Sequence, residues 1–257
     1  MPAGPRRPYP AGMSTAGPAP SPSPPPDPAP PSERTRVRRL PERGHYDRAT
    51  AHAILDEGLL CHVGLVTDDG PVVIPMLYAR DGDRLLIHGS PASRLLRAAG
   101  RGVDVCVTVT LLDGLVLARS AFHHSVNYRS VVMLGRAESL SDIGERRAAL
   151  NVIVEGIVPG RTAEARPPND REVRGTTVLA LPLDECSVKV RTGAPLDEDE
   201  DMDLPVWAGV LPLATVPGAP VPDPAQPADR PVPDYVAAYH RPGPRRASGP
   251  GRASGPG

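Results

Sequence analysis

The uneven distribution of proline limits where a folded domain can lie in this chain. Of the 35 prolines in 257 residues, 13 fall in residues 1–34 and 11 in residues 215–257. Stretches such as PAPSPSPPPDPAPPSE carry few apolar side chains, so nothing offsets the entropy lost when they become ordered. We predict a disordered proline-rich tail over residues 1–34, one folded domain over 35–214 and a disordered proline- and glycine-rich tail over 215–257.

Charge and cysteine usage exclude several classes of protein. The formal net charge of −1 gives no general attraction to nucleic acid or to an anionic membrane. No apolar run is long enough to span a bilayer, and no apolar core of a signal peptide follows Arg6 and Arg7. Cys61, Cys106 and Cys186 lie far apart in apolar runs without a CxxC motif. We interpret them as reduced, buried thiols of a cytoplasmic protein that form no metal site.

The first half of the domain has the pattern of antiparallel strands joined by tight turns. Apolar runs over 59–67, 71–80 and 84–90 are separated by the turn sequences DDG and DGD. Because the connections are so short, consecutive strands must run antiparallel rather than form βαβ units. The sequence therefore predicts a three-stranded meander at the start of the domain.

Helices and further strands complete the predicted fold. A helix over 46–58 has Asp47 and Gly58 as capping residues, a second starts with Ser90 as N-cap and Pro91 as its first residue, and a third over 141–157 is capped by Ser141. The other predicted strands cover 103–112, 127–140 and 177–191, with a turn at the DG of 113–114 and a bulge at Gly135. Six or seven strands with two or three inserted helices predict a mainly β (α+β) fold, a small closed β-barrel.

Five segments in order give the sequence a family resemblance. PVVIPMLYARDGDRLLIHGSPASRLLRAAG, VCVTVT, HHSVNYRSVVMLGRAE, SVKVRTGAP and DLPVWAGVLPL together resemble the pyridoxamine 5′-phosphate oxidase-like proteins. The resemblance is greatest to the flavin-binding branch that includes nitroimidazole-resistance proteins, and it extends over residues 36–212. It implies an FMN-binding split β-barrel that forms a homodimer with flavin at the subunit interface.

The segment HGSPASR is identified by the resemblance as the phosphate-binding segment. Phosphate needs hydrogen-bond donors and positive charge, which a helix start, a serine hydroxyl and a guanidinium supply. The residues implied are His88, Gly89, Ser90, Ser93 and Arg94. The family often has a lysine after the arginine, where this chain has Leu95, so Arg129 is the candidate replacement cation. Alternatively, Arg94 is a solvated helix residue and His88 a surface residue at a strand end.

Other residues of the resemblance are expected near the flavin ring. Pro75, Met76 and Tyr78 occupy the strand that lines the ring in the family, without the charged residues of the oxidases acting on pyridoxamine phosphate. Ser130 takes the position at the ring edge, with Ser125, Tyr128 and Arg129 beside it. Trp207 is expected to close the site across the dimer, or alternatively to pack against its own barrel.

Three functions are compatible with these patterns. The first is an FMN-dependent oxidoreductase that acts on a small molecule, in which the protein binds and orients the flavin and no catalytic side chain is identified. The second is a non-catalytic protein that binds or stores flavin. The third is a haem-binding relative, with His123 or His124 as axial ligand of the iron. A deazaflavin in place of FMN is a further alternative for the cofactor.

Overall fold

The computed structural model of the chain describes residues 28–227 and 229–240. Within this part, ten strands form one antiparallel sheet and five α-helices accompany it. The strands are β1 Gly44–His45, β2 Leu60–Thr67, β3 Gly70–Asp81, β4 Arg84–Gly89, β5 Asp104–Leu117, β6 Ser125–Arg136, β7 Glu138–Ser139, β8 Thr177–Pro182, β9 Cys186–Arg191 and β10 Gly209–Pro212. The helices are α1 Arg48–Glu57, α2 Arg94–Ala99, α3 Ile143–Ile157, α4 Asp170–Arg174 and α5 Asp234–Ala237. The mainly β fold with helices is confirmed.

The strand order shows that the sheet is not a closed barrel. Neighbouring strands follow the path β1-β9-β6-β5-β2-β3-β4-β8-β7, and β10 pairs with β5 off this path. The two strands at the ends of the path, β1 and β7, are each two residues long. Because such short end strands do not pair with each other, the ladder stays open, and the expectation of a closed barrel is wrong.

The predicted helices are present, but two of them begin at different residues. Asp47 caps α1 as predicted, by accepting a hydrogen bond from the Thr50 N–H. Ser93 caps α2, not Ser90, because the Ser90 carbonyl accepts from the Ser93 N–H and closes a turn before the helix. Asp142 caps α3, where Ser141 was expected. A carboxylate accepts the free N–H groups of a first turn at least as well as a hydroxyl.

Two strand predictions are corrected by the pairing. The DG of 113–114 is a bulge inside the 14-residue β5, because β6 continues to pair with β5 on both sides of it. The ladder runs through Gly135 without a shift, so no bulge lies there. The predicted strand 177–191 is two strands, since β8 pairs with β4 whereas β9 pairs with β6. A sequence run cannot show that its two halves have different partners.

The core consists of two hydrophobic clusters, which lie on opposite faces of the sheet at β4. The main cluster packs α1 and α2 against the strands, with Ile54, Leu96 and Met133 among its buried members. A smaller cluster packs α3 on the other face, around Leu86 and Ile153. This arrangement leaves the turn between β2 and β3 beyond the core, next to α2.

The cysteines divide into two buried thiols and one exposed thiol. Burial raises the pKa of Cys61 to about 12 and also raises the pKa of Cys186, so both are inert neutral groups. Cys106 is exposed, contrary to the expectation, because it alternates along β5 with the inward-facing Val105 and Val107. All three are free thiols.

Segments of both predicted tails contact the domain. Before residue 35, the Ser32 hydroxyl and the Arg34 guanidinium both donate to Glu185. After residue 214, Tyr239 donates to the Ile157 carbonyl at the end of α3, at 2.8 Å. Residues 1–27 and 241–257, which make up most of the predicted tails, lie outside the described residues, and the boundaries at 34 and 215 stay a prediction.

Candidate functional site

A groove with a cationic wall lies between the β2–β3 turn and α2. Its volume is about 470 Å³. One side is formed by the hairpin from Val66 to Val72 together with Ile74, and the other by α2 and the residues after it. The side chains of Arg94, Arg97 and Arg101 all line it. The predicted phosphate residues Ser93 and Arg94 are therefore in one groove, and Arg97 and Arg101 join them.

Arg94 is held only weakly by the protein. Its side chain is 83% exposed, and one guanidinium nitrogen lies 3.5 Å from a carboxylate oxygen of Asp69, which is itself exposed. An exposed ion pair of this kind is worth little, so the guanidinium is free to reorient toward a ligand. The Ser93 hydroxyl oxygen accepts from the Leu96 N–H and fixes the start of the helix beneath Arg94.

The segment that leads into the groove contains a histidine with an unsatisfied nitrogen. His88 is half-buried at the end of β4, and its Nδ1 is buried without a hydrogen-bond partner among the residues that the structure describes. Burial lowers the pKa of His88, so the neutral ring is favoured. At Gly89 an added Cβ would lie 2.8 Å from the Leu96 side chain, so glycine allows β4 to approach α2. Ser90 is exposed, and its hydroxyl oxygen accepts from the Ala92 N–H.

The three residues predicted to line the flavin ring from β3 have different environments. Tyr78 is buried in the core, and its hydroxyl donates to the Leu55 carbonyl at 2.7 Å. Met76 is half-buried and packs against the main core, whereas Pro75 is exposed. Only Pro75 and the open side of Met76 are therefore accessible from outside.

On β6, the predicted ring-edge residues lie away from the groove. Ser125 is exposed, and Tyr128 and Ser130 are half-buried. In the strand order, β5 and β2 lie between β6 and β3. Within one chain the structure thus forms two separate groups, the groove residues and the β6 residues.

Arg129 is engaged by two carboxylates. Its guanidinium donates to Glu57 at 2.5 and 2.8 Å and to Asp113 at 2.7 and 2.9 Å. Hydrogen bonds to these two carboxylates raise its pKa. The bulge of β5 brings Asp113 to this place, a feature that the sequence pattern does not reveal. A phosphate would have to displace these carboxylates to bind Arg129, so its role as a replacement cation stays a prediction.

The sequence reasoning missed a polar network behind β6. Arg191 is buried at 7% exposure, and it donates to the Asn127 side chain and to the Ala194 carbonyl. Burial, together with the nearby charge of Arg43, lowers its pKa. Asn127 also donates to the Gly193 carbonyl, so β6 and the loop after β9 are tied together. Arg191 belongs to SVKVRTGAP, one of the five segments of the family resemblance, but nothing in that segment showed that this arginine is buried.

The same loop also contacts the segment that carries the histidine pair. Asp197, with a side chain 1% exposed, accepts from the Arg119 backbone N–H and guanidinium. His123 lies 3.6 Å from Glu198, and the Nδ1 of His124 lies 2.9 Å from the Ser120 carbonyl oxygen. Among the described residues, no group of three or more His, Cys, Asp or Glu side chains could hold a metal ion.

Trp207 does not pack into the domain. The residue is 67% exposed, just before β10, and its ring lies over Gly209. The alternative in which the indole fills one end of its own barrel therefore has no support in these contacts. An exposed indole is compatible with contact across a subunit interface, which stays a prediction.

Comparison with known proteins identifies the family. The family described as pyridoxamine 5′-phosphate oxidase matches residues 47–190. The flavocytochrome Anf3 from Azotobacter vinelandii has a similar structure, with a TM-score of 0.77 and 44% sequence identity over 81% of this chain and 97% of that one. The FAD and haem binding protein from Mycobacterium smegmatis is 40% identical over 76% of this chain and 95% of that one, with a TM-score of 0.73. A search of curated proteins gave no match.

No helix in the part of the chain that the structure describes is long and apolar enough to cross a membrane.

The family match covers more than half of the chain, and two relatives of at least 40% identity cover more than three quarters of it. The chain belongs to the pyridoxamine 5′-phosphate oxidase family.

Proposed function

We propose that the chain is a flavin-binding redox protein that acts on a small molecule. The observation that carries this proposal is the similarity, over most of the chain, to a flavocytochrome and to an FAD and haem binding protein. The groove beside α2 supports it, because three arginines line an open concave surface. A bound flavin would supply the redox chemistry, while the protein holds, orients and shields it.

Arg94 is the residue we expect to bind the flavin phosphate. It lies at the first position of α2, directly after the Ser93 cap, and its weak contact with Asp69 is easily exchanged for a phosphate. A guanidinium can bind a phosphate through two parallel hydrogen bonds. Asp68 and Asp69 on the opposite wall oppose anion binding, so the arginines must outweigh them.

The groove also bears on which flavin the chain binds. FMN carries one phosphate, whereas FAD carries a diphosphate and an adenosine, which need more positive charge along the groove. Arg97 and Arg101 extend the cationic wall beyond Arg94, and one relative is named as binding FAD. We therefore favour FAD over the FMN expected from the sequence. Heat release of the cofactor followed by mass determination distinguishes FAD, FMN and a deazaflavin.

We also propose a homodimer in which the two groups of site residues meet. Leu60 and Leu77 are paired across β2 and β3 and both are exposed, and Val73 and Leu112 are exposed apolar residues of the same sheet. An open sheet face with such side chains is typical of a surface covered by a partner. In a dimer, the groove of one subunit could face the β6 residues and Trp207 of the other.

The dimer is tested by light scattering on the purified protein. The chain has a mass of 27.1 kDa, so a homodimer has about twice that mass. Leu77→Glu should shift the protein toward the monomer, because it places a charge on the apolar face. A monomeric wild type that still binds flavin would contradict the shared site.

Haem is a second candidate cofactor, in addition to the flavin. Both relatives of at least 40% identity are named for it, one as a flavocytochrome and one as a haem binding protein. The chain also presents an exposed imidazole at His124, a residue type that ligates haem iron. A non-catalytic flavin carrier remains the alternative to a redox enzyme.

The decisive experiment is an absorption spectrum of protein expressed with riboflavin and a haem precursor. We expect flavin bands, and a Soret band in addition if the haem candidate is right. Bleaching of the flavin bands by a nicotinamide donor, with return of the bands on an acceptor, would support a redox enzyme over a carrier. Protein that carries no flavin and takes none up on titration would refute the proposal.

A further inference from the structure

The two walls of the groove carry charges of opposite sign. Three arginines line one wall, namely Arg94, Arg97 and Arg101. Asp68 and Asp69, at the tip of the β2–β3 hairpin, line the other. An anion that enters the groove is therefore attracted from one side and repelled from the other. Because the repulsion grows with the charge of the anion, the acidic wall can favour one kind of anion over another.

The hairpin presents its two aspartates on a compact turn. The Thr67 hydroxyl donates to the Gly70 carbonyl at 2.9 Å, and Gly70 has a φ of +109°, which residues with a side chain rarely adopt. Asp68 and Asp69 lie between these two residues, and both are exposed. The turn therefore keeps both carboxylates on the wall of the groove.

Among the residues that the structure describes, a single ion pair crosses the groove. A guanidinium nitrogen of Arg94 lies 3.5 Å from a carboxylate oxygen of Asp69. In the same part of the chain, Asp68 pairs with no arginine, and neither Arg97 nor Arg101 pairs with a carboxylate. A phosphate that binds Arg94 must therefore take the place of the Asp69 carboxylate and remain beside its negative charge.

The repulsion by Asp69 depends on how a ligand distributes its charge. At pH 7 a phosphate monoester, such as that of FMN, carries about −1.5 to −2 charges on one group. In a diphosphate linkage, such as that of FAD, each phosphate carries a single charge. Arg97 follows Arg94 by three residues on α2, so the two side chains are neighbours on one face of the helix. A diphosphate can therefore share its charge between two guanidinium groups, whereas a monoester concentrates it beside Asp69.

We propose that Asp69 is a specificity-determining residue that disfavours a phosphate monoester in this groove relative to a diphosphate. Arg94 binds one phosphate of either ligand, and Asp69 opposes the more concentrated charge of the monoester. Arg97 binds the second phosphate, which only the diphosphate has. This inference rests on the proposed flavin site, and it names a residue that sets the choice between FAD and FMN.

The test compares the dissociation constants of FAD and FMN, measured by fluorescence titration of the purified full chain after removal of bound flavin. We expect Asp69→Asn to lower the constant for FMN about two- to fivefold more than the constant for FAD, the size of effect that an exposed charge contact has. Asparagine preserves the size of the side chain, so the variant changes mainly its charge. Asp68→Asn is the matched control, because Asp68 lies on the same turn without contacting Arg94, and we expect a smaller change in the ratio of the two constants.

The double variant Arg94→Ala/Asp69→Asn, compared with Arg94→Ala, shows whether the two residues act together. Without Arg94 no phosphate is held beside Asp69, so the asparagine should no longer change the ratio. Circular dichroism verifies that each variant is folded. An unchanged ratio in Asp69→Asn, equal changes in both aspartate variants, or a change that persists without Arg94 overturns the inference and leaves the flavin proposal intact.

Ribose 5-phosphate and ADP-ribose, titrated by calorimetry, repeat the comparison without a flavin ring, since one is a monoester and the other contains a diphosphate linkage. A wild type that takes up neither flavin refutes the proposed function. The same shift of the ratio with these two probes would then still support the role of Asp69, and its absence would refute that role as well.

Discussion

Arginines in the groove and arginines behind β6 differ in what occupies their hydrogen-bond donors. Arg94 in the groove is highly exposed and meets a single exposed carboxylate at 3.5 Å. Arg129 on β6 is largely buried and makes four short hydrogen bonds to two carboxylates. Arg191 is buried and bound to an amide and a carbonyl. The first kind of arginine can bind a ligand, whereas the second kind holds the fold together.

The two arginines of the second kind differ in the direction in which their pKa is shifted. Carboxylate partners raise the pKa of Arg129, whereas burial and the neighbouring Arg43 lower the pKa of Arg191. Buried charges are stabilised only by the partners around them, so removal of either side of such a contact is costly. An exposed arginine can be removed with little effect on folding.

The largest effect on stability is expected for Arg129→Ala. The variant leaves Glu57 and Asp113 close together without their shared cation, at a cost of roughly 3 kcal/mol of unfolding free energy. Urea unfolding of Arg129→Ala, Arg94→Ala and wild type measures the contrast. Arg94→Ala should differ from wild type by less than about 0.5 kcal/mol. Similar losses in both variants would abolish the distinction between the two regions.

The reverse order is expected for flavin binding. Arg94→Ala removes a charged hydrogen-bond donor to phosphate, about 1.5–3 kcal/mol, so affinity should fall roughly 10- to 150-fold. The family resemblance does not place Arg97 at the phosphate, but Arg97 lines the same groove, so we expect Arg97→Ala to cause an intermediate loss. Arg136→Ala, an exposed arginine paired with Asp104 outside the groove, is the control. Equal affinities for all variants would remove the phosphate role of the groove.

A smaller effect is expected from trimming the C-terminal segment. Deletion of 225–257 removes the Tyr239 hydrogen bond to Ile157 and the packing of the Tyr235 ring on Gly160. We expect a loss of roughly 1–2 kcal/mol and a Tm lower by a few degrees, whereas composition alone predicts no loss. Deletion of 241–257 is the control that keeps both tyrosines. Identical melting curves for the two deletions would support the tail boundary at 215.

The smallest expected effect is a pH dependence from His88. Burial lowers its pKa in the folded state below the ordinary 6.5, so the unfolded chain binds the proton first as pH falls. Stability is therefore unaffected above about pH 7 and decreases as pH falls through 6.5. Thermal unfolding at pH 7.5 and 5.5 should show a smaller decrease for His88→Asn than for wild type. Equal decreases would mean that the ring is protonated equally easily in both states.

Much of the fold follows from local features of the sequence. The α1 helix with its Asp47 cap and the β2–β3–β4 meander were predicted correctly, because turns, caps and alternation act between near neighbours. The caps of α2 and α3 were misplaced by only a few residues, since several polar residues at each start can accept the free N–H groups.

Sequence alone determined the family, the antiparallel meander and the residue types available for an anionic cofactor. The tertiary structure decided that the sheet stays open, that β8 and β9 have different partners and that Asp113 lies in a bulge. It also decided which arginines are free, because Glu57 and Asp113 reach Arg129 from positions 72 and 16 residues away. Contacts between distant residues depend on how strands pair and pack, and no local pattern specifies the partner.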